Sequence, residues 1–159
     1  MNIDDLGFDP ACCFIANQWL PARSGEVLAL HDPSTGEALC SIARGSALDI
    51  DVAVEQAESA LDSNWGRMTA PERGRILFRL GQLVLENADH LARLESLDVG
   101  KPLKQAKADA VALARYMEFY GGAADKIHGS TIPYLDGYTV YTLREPHGVT
   151  GHIIPWNYP

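Results

Sequence analysis

Between Ser46 and Ile127 four stretches of helical period follow one another with no strand signal between them. That succession excludes the strand-helix alternation of a mononucleotide-binding repeat and predicts a helical layer. Ser46-Ala-Leu-Asp49 fits a capping box, in which the serine hydroxyl takes an orphan amide and the acid sits in the first turn. Ile50, Ala53, Val54, Ala57 and Leu61 then share one face, the expected buried side of the first helix. Thr69-Ala-Pro-Glu72 repeats the start signal with a first-turn proline, and Ile76, Leu77, Leu80, Leu83 and Val84 form the stripe of a second helix. A third runs from about Ala88 to Val99, burying Leu91 and Leu94 and stopping at Gly100 ahead of Pro102. The fourth spans Leu103 to Ile127 and turns Ala106, Ala110, Leu113, Ala114, Met117 and Tyr120 toward the core.

The flanks read differently. Residues 1–45 carry short strand signals at Phe14-Ile15-Ala16, Glu26 to His31 and Leu39 to Ala43, with turns at Ser24-Gly25 and Asp32 to Gly36 between them. From Gly129 onward the only charged side chains are Asp136, Arg144 and Glu145. Asp136-Gly137 marks a hairpin turn, Tyr138 to Leu143 is rich in β-branched and aromatic residues, and Pro133 confines the preceding arm to an edge. Val149 to Ile154, apolar on both faces and ended by Pro155, reads as the opening strand of a buried parallel sheet. The fold class expected is therefore α/β. An arm (1–45), a helical part (46–128), a hairpin (129–147) and a lone strand with its loop (148–159) are pieces of two or three domains, so the 159 residues are expected to be part of a longer fold.

Composition narrows the partners. At 47% hydrophobic and 21% charged residues the chain is of soluble globular type. Its net charge of -8 sets it against phosphate backbones and anionic lipid, so neither nucleic acid nor a membrane is an expected partner. No apolar run approaches the roughly 20 residues of a membrane span, and acidic Asp4 and Asp5 stand where a signal peptide carries basic residues. A cytoplasmic address is expected. Cys12, Cys13 and Cys40 cannot make a disulfide framework, lack the basic surroundings of a thiol nucleophile, and read as structural thiols. His31, His90, His128, His147 and His152 are scattered without metal-ligand spacing, so no metal site is expected. Gly100-Lys-Pro102 reads as a helix stop with an exposed lysine, and Asp109 as hydrogen-bonded or exposed.

Pro155-Trp-Asn-Tyr-Pro159 holds the candidate chemistry. Two prolines of fixed φ bracket Trp156 and Asn157 just past an expected strand end, where open α/β sheets hold their ligands. An asparagine amide is a neutral donor that can stabilise a developing oxyanion if held in place beforehand, although a polar loop residue is the plainer reading.

These pieces, in this order, resemble the N-terminal third of the NAD(P)-dependent aldehyde dehydrogenases. The resemblance runs from about Phe14 to Pro159 and rests on Asp32-Pro-Ser-Thr-Gly-Glu37, Asp49-Ile-Asp-Val-Ala-Val54, Trp65, Glu72-Arg-Gly74 and Leu94-Glu-Ser-Leu-Asp98 before Gly100-Lys-Pro102. It continues through Ala124-Asp-Lys-Ile127, Gly129 and Arg144-Glu-Pro-His-Gly-Val149 into Ile153-Ile-Pro-Trp-Asn-Tyr-Pro159. It implies an oxidoreductase with a Rossmann-type domain, a catalytic domain and a small β oligomerisation domain whose hairpin would be Gly129 to Glu145. Ile153, Ile154, Pro155 and Trp156 would line the nicotinamide end of the cleft for NAD or NADP, and Asn157 would be the oxyanion-hole asparagine. The family's mechanism adds a cysteine thiolate to the aldehyde, passes hydride to nicotinamide and hydrolyses the thioester with a glutamate-activated water. The matching cysteine, glutamate, cofactor lysine and glycine turn are not in this sequence, so the chain alone is expected to be inactive. The complete protein is expected to be a homodimer or homotetramer acting on an aldehyde. The helix around Tyr116, Met117 and Tyr120 would form one wall of the aldehyde tunnel, and Tyr158, a common variation on Phe, is expected to change little. The alternative reading is a non-catalytic helical module that binds a full-length subunit through the hairpin.

Overall fold

In the computed structural model, which describes residues 6–159, the arm is two antiparallel hairpins. Strand β1 (Cys12–Ile15) pairs with β2 (Gln18–Pro21), with Phe14 opposite Trp19. Ala16 and Asn17 turn the chain between them at φ 53° and 61°, the left-handed pair that a two-residue hairpin needs. Strand β3 (Val27–His31) pairs with β4 (Ala38–Ala43), with a register shift between Leu30 and His31. Their connection is closed by Gly36 N–H donating to the Asp32 carbonyl at 2.7 Å, which Gly36 reaches at φ 76°. Strand β2 was not expected from its own residues, because it is exposed along its whole length and held only by β1.

Five helices follow: α1 (Ala47–Leu61), α2 (Asn64–Arg67), α3 (Ala70–Glu86), α4 (Ala88–Val99) and α5 (Leu103–Ala123). The expected helix starts at Ser46 and Thr69 are both observed as capping boxes. The stop at Gly100 is observed too, in the left-handed conformation that frees it to close α4. The one-turn α2, capped by Ser63, was not anticipated. Helix α5 ends at Ala123 instead of Ile127, its last turns passing through Gly121 and Gly122, which hold helix weakly. Lys126 N–H then bonds back to the Ala123 carbonyl at 2.9 Å in a tighter turn.

The core is made of small residues. Val84, Ala88, Ala92, Ala106, Ala110 and Ala114 are its buried apolar side chains in the helices, with Gly74, Gly81 and Gly121. Helices α3 and α5 run antiparallel, Gly74 lying against Gly121 and Gly81 against Ala114 and Met117. With so little side chain between them the backbones approach closely, and α4 packs on α5 through the alanine face. The apolar stripe expected to bury α1 does not do so: Ile50 is 62% exposed, and Val54 and Leu61 are also open. Ile76, Leu80 and Leu83 of α3, and Leu113 and Tyr120 of α5, are likewise exposed. Amphipathicity defines a face able to bury, but burial requires a neighbour.

Helix α1 is anchored through a charge instead. Asp49 is buried, and its carboxylate accepts hydrogen bonds from Ser46 N–H (2.8 Å), Ser46 Oγ (2.7 Å) and Arg23 N–H (3.0 Å). The last of these ties the helix start to the segment after β2. The bonds from Ser46, then that from Arg23, hold the carboxyl below its ordinary range. A lowered folded pKa means that this stabilisation is complete above the unfolded carboxylate pKa and is lost as pH falls through the folded one. Thermal melts of the wild type and Asp49→Asn are therefore expected to differ at neutral pH and to converge in acid; a constant gap would contradict the assignment.

After α5 the hairpin forms as a short ladder. Strand β5 (Thr131–Ile132) pairs with β6 (Val140–Tyr141), Gly137 takes φ 86° in the turn, and Ser130 and Thr142 exchange further hydrogen bonds at the open end. It is narrower than the expected Tyr138 to Leu143 strand. Residues 149–154, expected to open a parallel sheet, carry no strand pairing among the described residues. A strand is maintained by its ladder, and none of the three sheets extends to this segment. No helix among the described residues is long and apolar enough to cross a membrane.

Candidate active-site loop

The Pro155–Pro159 loop is a single tight turn. Tyr158 N–H donates to the Pro155 carbonyl at 3.1 Å, which places Trp156 and Asn157 at the apex. Proline at 155 presets φ at the turn's entry and proline at 159 restricts Tyr158, so the apex has little freedom. Trp156 is 85% exposed, Asn157 is exposed, and Ile153 and Ile154 precede them on the surface. The Asn157 amide has no protein hydrogen-bond partner among the described residues, which leaves both its N–H donors available to a ligand.

Tyr158 fastens the loop to the helices. Its hydroxyl donates to Asp109 Oδ1 at 2.8 Å, and the Lys101 ammonium lies 4.0 Å from its ring centroid. Lys101 in turn donates to Asp109 Oδ2 at 2.8 Å and to Glu95. The expectation of an exposed Lys101 is thus corrected: only 8% of its side chain is exposed, because carboxylates from α4 and α5 converge on the elbow that Gly100 and Pro102 create. The expectation that Tyr158 behaves as Phe is corrected as well, since its hydroxyl is engaged. The bonds from Lys101, then from Tyr158, keep the Asp109 carboxyl below its usual range. Asp109 and then Glu95 raise the Lys101 ammonium, and the bond to Asp109 raises the Tyr158 phenol. Asp109 and Lys101 are therefore both charged, and Tyr158 neutral, across the physiological range.

Beneath Tyr158 lies an apolar cavity of about 610 Å³, bounded by Leu30, Cys40 and Ile42 of the second hairpin, Leu91 and Leu94 of α4, and Leu113 and Tyr116 of α5. Of the residues expected to wall an aldehyde tunnel, Tyr116 lines this cavity. Met117 points instead at Gly81 of α3, and Tyr120 lies exposed, edge-on to Phe119.

The thiols are in the arm. Burial, then Asp9, raises Cys12, and burial, then Asp98, raises Cys40, the opposite of what activates a thiolate. Among the described residues no group of His, Cys, Asp or Glu is arranged to hold a metal ion.

Residues 19–159 match the profile of the Aldehyde dehydrogenase family. The chain is 44% identical over 150 residues to the hydroxyisobutyraldehyde dehydrogenase of Mycolicibacterium austroafricanum, covering 94% of this chain and 30% of that protein. It is 46% identical over 149 residues to retinal dehydrogenase 2 of Homo sapiens, with 92% and 29% covered. The structure of a Bacillus cereus aldehyde dehydrogenase mutant (E194S) superposes with a TM-score of 0.90 at 38% identity over 95% of this chain and 31% of that one. The NAD+ complex of the Bacillus cereus enzyme does so with 0.81 at 36% identity over 85% and 28%. The chain spans about 30% of the length of the curated relatives it matches. With the family profile matched from residue 19 to residue 159 and the α/β fold shared with solved relatives, the chain belongs to the aldehyde dehydrogenase family.

Proposed function

We propose that this chain supplies the oxyanion-holding loop of an NAD(P)-dependent aldehyde dehydrogenase that oxidises an aldehyde to a carboxylic acid. The observation that carries the reading is Asn157, an unpartnered amide at the apex of a proline-bounded turn that Tyr158 ties to the helices. A donor of this kind acts on an aldehyde by meeting the oxygen as a nucleophile converts the carbonyl to a tetrahedral adduct. The charge forms on that oxygen, and a donor already oriented stabilises it without reorganising. A neutral amide does this at any pH and cannot be titrated away.

The residues before Asn157 fit the nicotinamide end of a dinucleotide. Ile153, Ile154, Pro155 and Trp156 form a continuous exposed apolar stretch against which a flat aromatic ring can lie, as the NAD+ complex of the Bacillus cereus relative makes reasonable for the family. NAD(P), when bound, accepts the hydride. No phosphate-cradling glycine turn of G-x-G-x-x-G type is present in the sequence, so these residues would hold only that end. The raised thiols of Cys12 and Cys40 argue that the nucleophile is supplied by residues other than these. The hairpin exposes Tyr134, Leu135, Tyr138, Tyr141 and Leu143, an apolar surface suited to a second copy in a homodimer or homotetramer.

The test is an assay of the native gene product, purified from its source, with a panel of aliphatic, aromatic and semialdehyde substrates and either nicotinamide cofactor. Turnover of at least one aldehyde is expected, and none from the 159-residue polypeptide alone. An inactive native product that co-purifies with a longer family member would instead establish the non-catalytic module.

A further inference from the structure

We propose that Lys101, Asp109 and the Tyr158 hydroxyl form a latch that sets the station of Asn157, making Lys101 and Asp109 positioning residues of the oxyanion site. The inference deepens the proposed function and rests on it. The loop's internal bond, Tyr158 to Pro155, gives it shape but does not attach it to anything. The attachment is Tyr158, adjacent in sequence to Asn157, whose hydroxyl reaches Asp109 across 49 residues of chain. Asp109 can hold that hydroxyl because it is itself held: one oxygen takes Tyr158 and the other takes Lys101. Lys101 adds a second hold on the same ring through its face, at 4.0 Å from the centroid. Glu95 completes the arrangement from α4, so the ammonium is fixed between carboxylates of two helices that the alanine core already locks together. A phenylalanine at 158 would keep the ring under Lys101 but lose the bond to Asp109.

The latch is tested first by proteolysis, which reads loop opening at high dilution and independently of activity. Chymotryptic cleavage of the 159-residue chain after Trp156, followed by mass spectrometry, is compared with cleavage after Tyr134 in the hairpin as internal control. Tyr158→Phe and Asp109→Asn are expected to raise the Trp156 rate by about three- to tenfold, the range set by loss of one hydrogen bond, with the Tyr134 rate unchanged. Lys101→Met is expected to do the same, and Lys101→Arg to restore most of the protection. A Tyr158→Phe rate equal to wild type overturns the latch, and a Lys101→Met that speeds both sites equally overturns the role given to Lys101.

The second arm uses the native gene product. Tyr158→Phe is expected to lower kcat by about three- to tenfold with the aldehyde KM little altered. If cleavage rises but kcat does not, the latch exists yet positions nothing, and the proposal fails. Full activity in Asn157→Ala would instead remove the oxyanion reading while leaving the proteolysis result standing, so the two failures are distinguishable.

Discussion

Asn157→Ala is expected to lower kcat of the native gene product by about 10²–10³-fold while leaving the aldehyde KM nearly unchanged. The side chain sits at an exposed apex, so its removal opens no cavity and breaks no protein hydrogen bond among the described residues. Stability should not fall with activity. A neutral carbonyl gains little from an amide donor in competition with water, whereas the oxyanion of the tetrahedral adduct gains a great deal, which is why the loss belongs in kcat. Asn157→Asp is the sharper variant: it keeps the shape but puts a carboxylate against the developing negative charge, and is expected to be at least as damaging. Steady-state kinetics on both variants, beside a thermal melt, check this. A proportional loss of Tm and kcat would show that the residue serves folding, and an unchanged kcat would remove it from the reaction.

The second large effect is in the core. Gly74→Ala is expected to destabilise the fold by about 1–3 kcal/mol, the cost of overpacking a closed contact. A Cβ at position 74 would stand 2.4 Å from the Gly121 carbonyl oxygen, and that oxygen belongs to a helix backbone that cannot move aside alone. Helices α3 and α5 would have to separate along their length, loosening the alanine packing of α4 with them. Gly122→Ala is the control. A Cβ there meets only Phe78 at 3.8 Å, an ordinary contact, and alanine is the better helix former. It should be neutral or slightly stabilising. Urea unfolding of the two variants checks the contrast, and equal midpoints would show that the close approach is not under constraint.

These two residues differ in how visible they were. Asn157 could be singled out because the prolines around it are local signals, and the family resemblance supplied its role. Gly74 appeared in the sequence as part of Glu72-Arg-Gly74, with nothing to say that its missing side chain faces a second missing side chain at Gly121. The helix starts at Ser46 and Thr69 and the stop at Gly100 were legible for the same local reason: a cap is satisfied by residues within one turn. The hairpin turn at Asp136-Gly137 was legible likewise.

What could not be read were the interactions that depend on distant partners. Strand β2 exists because β1 is beside it. Helix α1 looked amphipathic, yet its stripe is open while Asp49 beneath it is buried. Lys101 looked like a surface lysine after a helix stop, because nothing in Gly100-Lys-Pro102 reveals that Glu95 and Asp109 will close over it. Tyr116, Met117 and Tyr120 were grouped by the family resemblance, and of the three only Tyr116 lines the cavity beneath Tyr158, because the other elements around the cavity decide which part of α5 it meets.

The sequence by itself determined the family, the succession of arm, helices, hairpin and terminal loop, and the caps at Ser46, Thr69 and Gly100, because these rest on backbone preferences and motifs that span a few residues. Tertiary structure alone decided that the helices meet through glycine and alanine, that the Lys101 side chain is enclosed between Glu95 and Asp109, and that the Tyr158 hydroxyl joins the Asn157 loop to Asp109. Each of those depends on two groups far apart in the chain reaching contact distance, and hydrogen bonds and close packing act only at that range.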